Sequence, residues 1–213
     1  MGSEGKKWAT SAAVVVVGVA AILLGVPLLA LGLPERGAPT GLGSGTPAMA
    51  GIPPSVLTAY KAANGWCPGL RWQLVAGIGH EESGNATTDG ARVDPLTGEV
   101  TPTIFGPPLD GTDGTQRLPI GPWLGWFGLP GPWQQAVGPL QFLPGTFAAW
   151  AVDVTGSGAD PNNIYDAVDT AANYLCQGHN GAITDERAAI LRYNDDEGYA
   201  SAVLAYANSL PAT

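Results

Sequence analysis

One stretch sets the terms for the rest of the chain: Trp72-Gln73-Leu74-Val75-Ala76-Gly77-Ile78-Gly79-His80-Glu81-Glu82-Ser83-Gly84. Trp72, Val75, Ile78 and Gly79 fall at i, i+3, i+6 and i+7, the spacing of one helix face, with small residues between them. The pattern predicts a helix that buries itself and then runs without a break into two adjacent carboxylates and a Ser-Gly stop. Successive helical side chains point about 100° apart, so Glu81 and Glu82 cannot share one environment. One of them can sit at the edge of the apolar face. A carboxyl there is poorly solvated, its charged form is disfavoured and its pKa rises. That is the condition for a general acid at neutral pH. A surface glutamate pair ahead of a glycine C-cap fits the same letters, and this stretch alone does not choose between the two.

The remainder of the chain has to build a core around that helix. Its 213 residues fit one ordinary domain plus extensions. Gly 31 and Pro 19 point to long loops, yet 45% hydrophobic residues and six tryptophans beyond residue 60 are enough for a packed interior. The formal net charge is −9 and there is no Lys/Arg-rich arm or patch, which argues against nucleic acid as a partner.

Lys6 and Lys7 precede an uncharged apolar run from Ala12 to Leu33, after which Glu35 and Arg36 return. At 1.5 Å per residue the run reaches roughly 33 Å, about the thickness of a bilayer core. A cleaved secretory signal has a shorter apolar region, although Ala30-Leu31-Gly32 resembles a cleavage site. The length favours an uncleaved anchor. Lysines before the span and none soon after it place residues 1–11 in the cytoplasm and the rest of the chain outside. Residues 34–52, rich in Gly, Pro, Ser and Thr without apolar period, read as a linker. The domain is expected over 53–213.

Within it, Ser55 is expected to cap a first helix through about Asn64, with Val56, Leu57, Tyr60 and Ala63 inward. After the Trp72 helix, further helices are expected from Gly145 or Thr146 to Val152, over Ile164–Leu175, from Asp185-Glu186 to Tyr193, and over Glu197–Ser209. No convincing alternating strand appears, so the fold class is mostly α. Cys67 and Cys176 are the two cysteines, and in an exported domain they are expected to pair. Closing so long a loop is worth about 4–5 kcal/mol in the chain-entropy model. Two cysteines and two distant histidines, His80 and His179, have no metal-ligand spacing.

Residues 85–137 form a long loop, with Asp89, Asp94, Glu99, Asp110 and Asp113 scattered among Gly, Pro and Thr. Its later part, residues 119–133, carries Trp123, Trp126 and Trp133 among prolines and glycines that forbid an ordinary helix or central strand. Such rings serve to stack on sugars, to rest on a membrane interface or to cover a core.

Glu82-Ser83-Gly84, then Gly138-Pro139-Leu140-Gln141-Phe142, then the Ala171–Leu175 helix, then Tyr193-Asn194 resemble, in that order, the lytic transglycosylases. These are lysozyme-like enzymes that cleave murein. Cys67–Gln73 ahead of Gly77–Gly84 is similar to the membrane-bound or secreted actinobacterial type. The resemblance covers nearly all of residues 53–208 and implies a lysozyme-like (α+β) domain acting on peptidoglycan glycan strands without a cofactor. It implies Glu82 as the acid/base, with Glu81 at a site usually apolar. Ser83 is implied beside the acid, Gln141 and Phe142 at the sugar cleft, and Tyr193 and Asn194 on its far wall. Relatives often carry an acidic run resembling a calcium loop; here residues 153–160 have lost most of those oxygens, and no metal site is expected.

The implied reaction uses one carboxylate. The acid protonates the glycosidic oxygen between N-acetylmuramic acid and N-acetylglucosamine, then deprotonates the muramic C6 hydroxyl as it closes onto C1, giving a 1,6-anhydro end. Ordinary glycosidases need two carboxylates, so a hydrolase using Asp89 or Asp94 as the second is the alternative. A wall-binding protein without turnover is another.

Overall fold

The computed structural model describes Met49 and residues 51–112, 114–121, 128–177 and 181–212. The stretches read as cytoplasmic segment and anchor, nearly all of the linker, Asp113, residues 122–127 of the Trp-rich segment and His179 lie outside the described residues. Among the described residues no helix is long and apolar enough to cross a membrane. The elements are α1 (Pro54–Ala62), α2 (Trp72–Ser83), β1 (Arg92–Val93), β2 (Val100–Thr101), α3 (Pro144–Trp150), α4 (Ile164–Leu175), α5 (Glu186–Tyr193) and α6 (Glu197–Ser209). The mostly helical reading holds.

Helix α2 is the centre, and α1, α4 and α6 pack against it. Burial is not confined to one face: every residue from Trp72 to Gly79 is buried. A helix enclosed by others has no need of a polar side. Two of its small residues are approach points rather than fillers. A Cβ at Gly77 would stand 2.6 Å from the Val203 carbonyl oxygen of α6, and one at Gly79 would overlap the Tyr60 hydroxyl of α1. Helix α4 buries the expected face and also Asp166, whose carboxylate accepts the Val154 and Asp160 amides at 2.9 and 3.1 Å. Burial still holds that carboxyl above its ordinary range.

Several boundaries differ from expectation, each for a local reason. Helix α1 starts at Pro54, with Pro53 as N-cap and no side-chain cap, so Ser55 does not cap it. Helix α3 likewise starts at Pro144, not at Gly145 or Thr146, and ends at Trp150. Proline at the first helical position has the right φ and no N–H to satisfy, so no capping oxygen is required. Val152 lies beyond that helix, its amide donating to Thr170 Oγ1 at 3.0 Å. Asp185 and Asp196 do cap, accepting from the Ala188 and Tyr199 amides at the starts of α5 and α6. Ile52, at the end of the segment read as linker, is wholly buried, so the core begins there.

The absence of strands was also an incomplete reading. β1 and β2 pair antiparallel, Arg92 with Thr101 and Val93 with Val100. Two residues are too few to show alternation in a sequence. Farther on, three extended passes meet at Leu109, Leu118 and Gln134. Leu109 donates to Gln134, Gln134 to Leu118 and Leu118 to Leu109, each at 2.8 Å. Ile120 donates to Pro132 beyond them, and Arg117 lies over the Trp133 ring. Loop 85–137 is therefore tied to itself by backbone pairing that no residue period announces. Cys67 and Cys176 form the expected disulfide, Cα–Cα 6.0 Å, between the approach to α2 and the C-cap of α4.

Candidate active site

The end of α2 is shaped by Gly84, left-handed at φ 59°, whose amide returns to His80 O while that of Asn85 returns to Gly79 O, both at 2.9 Å. This stop leaves Glu81 exposed and Glu82 partly buried. The Tyr199 hydroxyl of α6 donates to Glu82 Oε1 at 2.7 Å. Burial raises the Glu82 carboxyl, the Tyr199 hydrogen bond lowers it, and the neighbouring Glu81 charge raises it again, leaving it at about 7. Desolvation wins because one neutral donor restores less than the water that burial removes. The carboxyl is thus close to half-protonated at neutral pH, the state in which one group can both give and take a proton.

Ser83 does not reach the acid. Its side chain is buried, and Oγ donates to the Pro139 carbonyl at 2.6 Å and accepts the Ala86 amide at 2.9 Å. It joins the end of α2 to the turn 138–142. Tyr193 holds the same turn from the other side, its hydroxyl donating to the Leu140 carbonyl at 2.6 Å. The turn needs its glycine: Gly138 has φ +80°, and a Cβ there would overlap the Pro161 carbonyl. Gln141 sits at φ +49°, its side-chain amide donating to Gly138 O at 2.8 Å and to Ile104 O at 3.3 Å.

Phe142 corrects the expectation of a cleft residue. It is 2% exposed and packs edge-on against Phe147 and Tyr193, so it supports the site from within the core. Tyr193 is brought near the acid: burial first and the Glu82 charge second raise its phenol well above the ordinary value. Asn194 caps α5, its amide donating to Ile190 O, and its Oδ1 is buried without a partner among the described residues.

Tyr199 was not singled out in the sequence. It flanks the α6 stripe of Ala200, Val203 and Ala207, which packs on α2. The available signal was a tyrosine at the edge of that stripe in the first turn of α6, five residues after Asn194.

The loop acids are engaged with their own backbone. Asp94 accepts the Leu96 and Thr97 amides at 2.8 and 2.9 Å, and Asp110 accepts from Thr112. These bonds lower both carboxyls. The carboxylate whose charge acts on Glu82 is Glu81, on its own helix. In the loop that was compared with a calcium site, Asp153 accepts the Gly156 and Gly158 amides at 2.6 and 3.0 Å. Among the described residues no group of three or more His, Cys, Asp or Glu is arranged to hold a metal ion.

Residues 126–182 match the family model of the transglycosylase SLT domain. Over that segment the chain is similar to the lytic transglycosylases. The matched segment contains the Gly138–Phe142 turn and α4, with Glu82, Tyr193, Asn194 and Tyr199 outside it. No curated protein and no solved structure matches the chain. The match identifies peptidoglycan as the substrate class of the family to which this turn and helix are similar.

Proposed function

We propose that the chain is a lysozyme-like murein lytic transglycosylase in which Glu82 alone serves as acid and then base. The observation that carries this is a carboxyl poised at about 7, held by Tyr199, with Glu81 rather than a loop acid as the charge acting on it. Glu82 first protonates the glycosidic oxygen between N-acetylmuramic acid and N-acetylglucosamine. The substrate's acetamido group stabilises the oxocarbenium-like centre. Glu82, now charged and stabilised by the Tyr199 hydroxyl, then takes the proton of the muramic C6 hydroxyl as that oxygen closes onto C1. No water is consumed and a 1,6-anhydro end results. Gln141, Tyr193 and Asn194 form the cleft wall, while Ser83 and Phe142 fix that wall from behind.

The apolar run 12–33 anchors the chain with its domain on the outer side of the membrane, and the Cys67–Cys176 disulfide fits an oxidising exterior. Digestion of purified murein followed by mass spectrometry tests the chemistry. Products lighter than hydrolytic muropeptides by one water are expected, and reducing ends alone would refute the reading. Glu82→Gln should abolish either product.

A further inference from the structure

Glu82 and Tyr199 meet across two helices, so something has to hold those helices in register. Tyr199 and Tyr206 are seven residues apart on α6, two turns along one face. Both reach the C-terminal end of α2. Tyr199 donates to Glu82 at 2.7 Å, and Tyr206 Oη accepts from Asn85 Nδ2 at 3.1 Å. Between them, Val203 lies against Gly77, where α6 comes closest to the α2 backbone.

Asn85 is unusual among these contacts. It is 2% exposed and stands at φ 61°, a conformation that asparagine tolerates better than other residues bearing a Cβ. Its amide joins three helices. Oδ1 accepts the Tyr60 hydroxyl of α1 at 3.3 Å, and Nδ2 faces both Tyr206 and His80 Nδ1, the latter at 3.4 Å. The His80 ring stacks on Tyr206 with centroids 3.8 Å apart and planes 7° from parallel. A buried amide with partners on both ends is costly to disturb, because each freed polar atom is left without water.

We infer that Asn85, through Tyr206, is a positioning residue that keeps α6 where Tyr199 can hydrogen-bond Glu82. The inference rests on the proposed role of Glu82, and nothing in it requires Asn85 to touch substrate. The groups facing Glu82 are Tyr199 from α6, Tyr193 from α5 and Glu81 from its own helix. Of these, Tyr199 is the one whose hydrogen bond favours the charged carboxylate. Loosening α6 weakens that bond and leaves burial and Glu81 unopposed. The carboxyl then keeps its proton to higher pH, and the alkaline limb of the activity profile, where the acid form is lost, moves upward.

The variants are Tyr206→Phe, which keeps the ring stack and removes the hydroxyl, and Asn85→Gly, which accepts the positive φ, removes the amide and adds no charge near Glu82. Each is made in the full chain alone and together with Tyr199→Phe. Two readouts are taken: the pH profile of murein lysis, and the Glu82 carboxyl titration followed by 13C NMR against Glu82→Gln. Tyr206→Phe should move both upward by about half a pH unit to one unit, and adding it to Tyr199→Phe should move them no further. Variants that lower Tm while both titrations stay at the wild-type position would overturn the inference, as would an additive shift. If NMR shows the shift and wild type yields no anhydro product, the positioning stands and the proposed reaction falls.

Discussion

Replacing Glu82 by glutamine separates the acid's environment from its chemistry, because folding stability and turnover should move in opposite directions. In the folded protein the Glu82 carboxyl holds its proton to about 7 instead of the ordinary 4.5. Between those values the folded state binds one more proton than the unfolded chain, so stability falls as pH rises. The full stability of the protonated carboxyl is present below about pH 4.5 and has been lost once pH passes about 7. At about 1.4 kcal/mol per pH unit the loss comes to about 3 kcal/mol. Glutamine has nearly the same shape, cannot ionise, and its carbonyl still accepts the Tyr199 hydroxyl. The variant should therefore gain on wild type progressively from pH 4.5 to 7.5, ending about 3 kcal/mol ahead of its relative position at pH 4.5. In a domain of this size that corresponds to roughly 6–12 °C in Tm. Taking the difference removes contributions shared by both proteins, including that of buried Asp166. Denaturant unfolding of both proteins at half-unit pH intervals measures it. Parallel curves would show that Glu82 is not held protonated, and the acid assignment would lose its physical basis. Murein lysis should meanwhile drop by at least a hundredfold, the lower range for loss of a general acid.

Ser83→Ala removes a donor from Pro139 O and an acceptor from Ala86 N, both buried, and should cost about 1–3 kcal/mol in chemical denaturation. It should also lower lysis at unchanged Glu82 titration, since it joins α2 to the turn and does not touch the carboxylate. Gly79→Ala drives a methyl into the Tyr60 hydroxyl, and Tyr60→Phe in the same chain should recover part of the lost Tm by removing that oxygen. Replacing Cys67 and Cys176 together by serine should lower unfolding free energy by about 2–5 kcal/mol, and reductant should then have no further effect on the variant.

The sequence alone determined the helices and much of their ends. Apolar spacing marked α1, α2 and α4, and the acids Asp185-Glu186 announced the start of α5; that Asp196 caps α6 in the same way as Asp185 caps α5 came from the structure. Prolines at 54 and 144 were present in the same sequence, and reading them as first helical residues would have placed α1 and α3 correctly. The glutamate pair was legible as a candidate acid, yet its two members became distinct only through resemblance and then through burial.

Tertiary structure decided what surrounds that acid. Tyr199 lies 117 residues from Glu82 in sequence, and Ser83 and Pro139 are 56 apart, separations over which no helix or strand period carries information. The same holds for the cyclic backbone pairing of Leu109, Leu118 and Gln134, which involves groups common to every residue. Whether a glutamate becomes an acid near neutrality depends on the water it loses and the hydroxyl it gains. Both are set by how α6 packs on α2, through the close approach at Gly77 and the buried amide of Asn85.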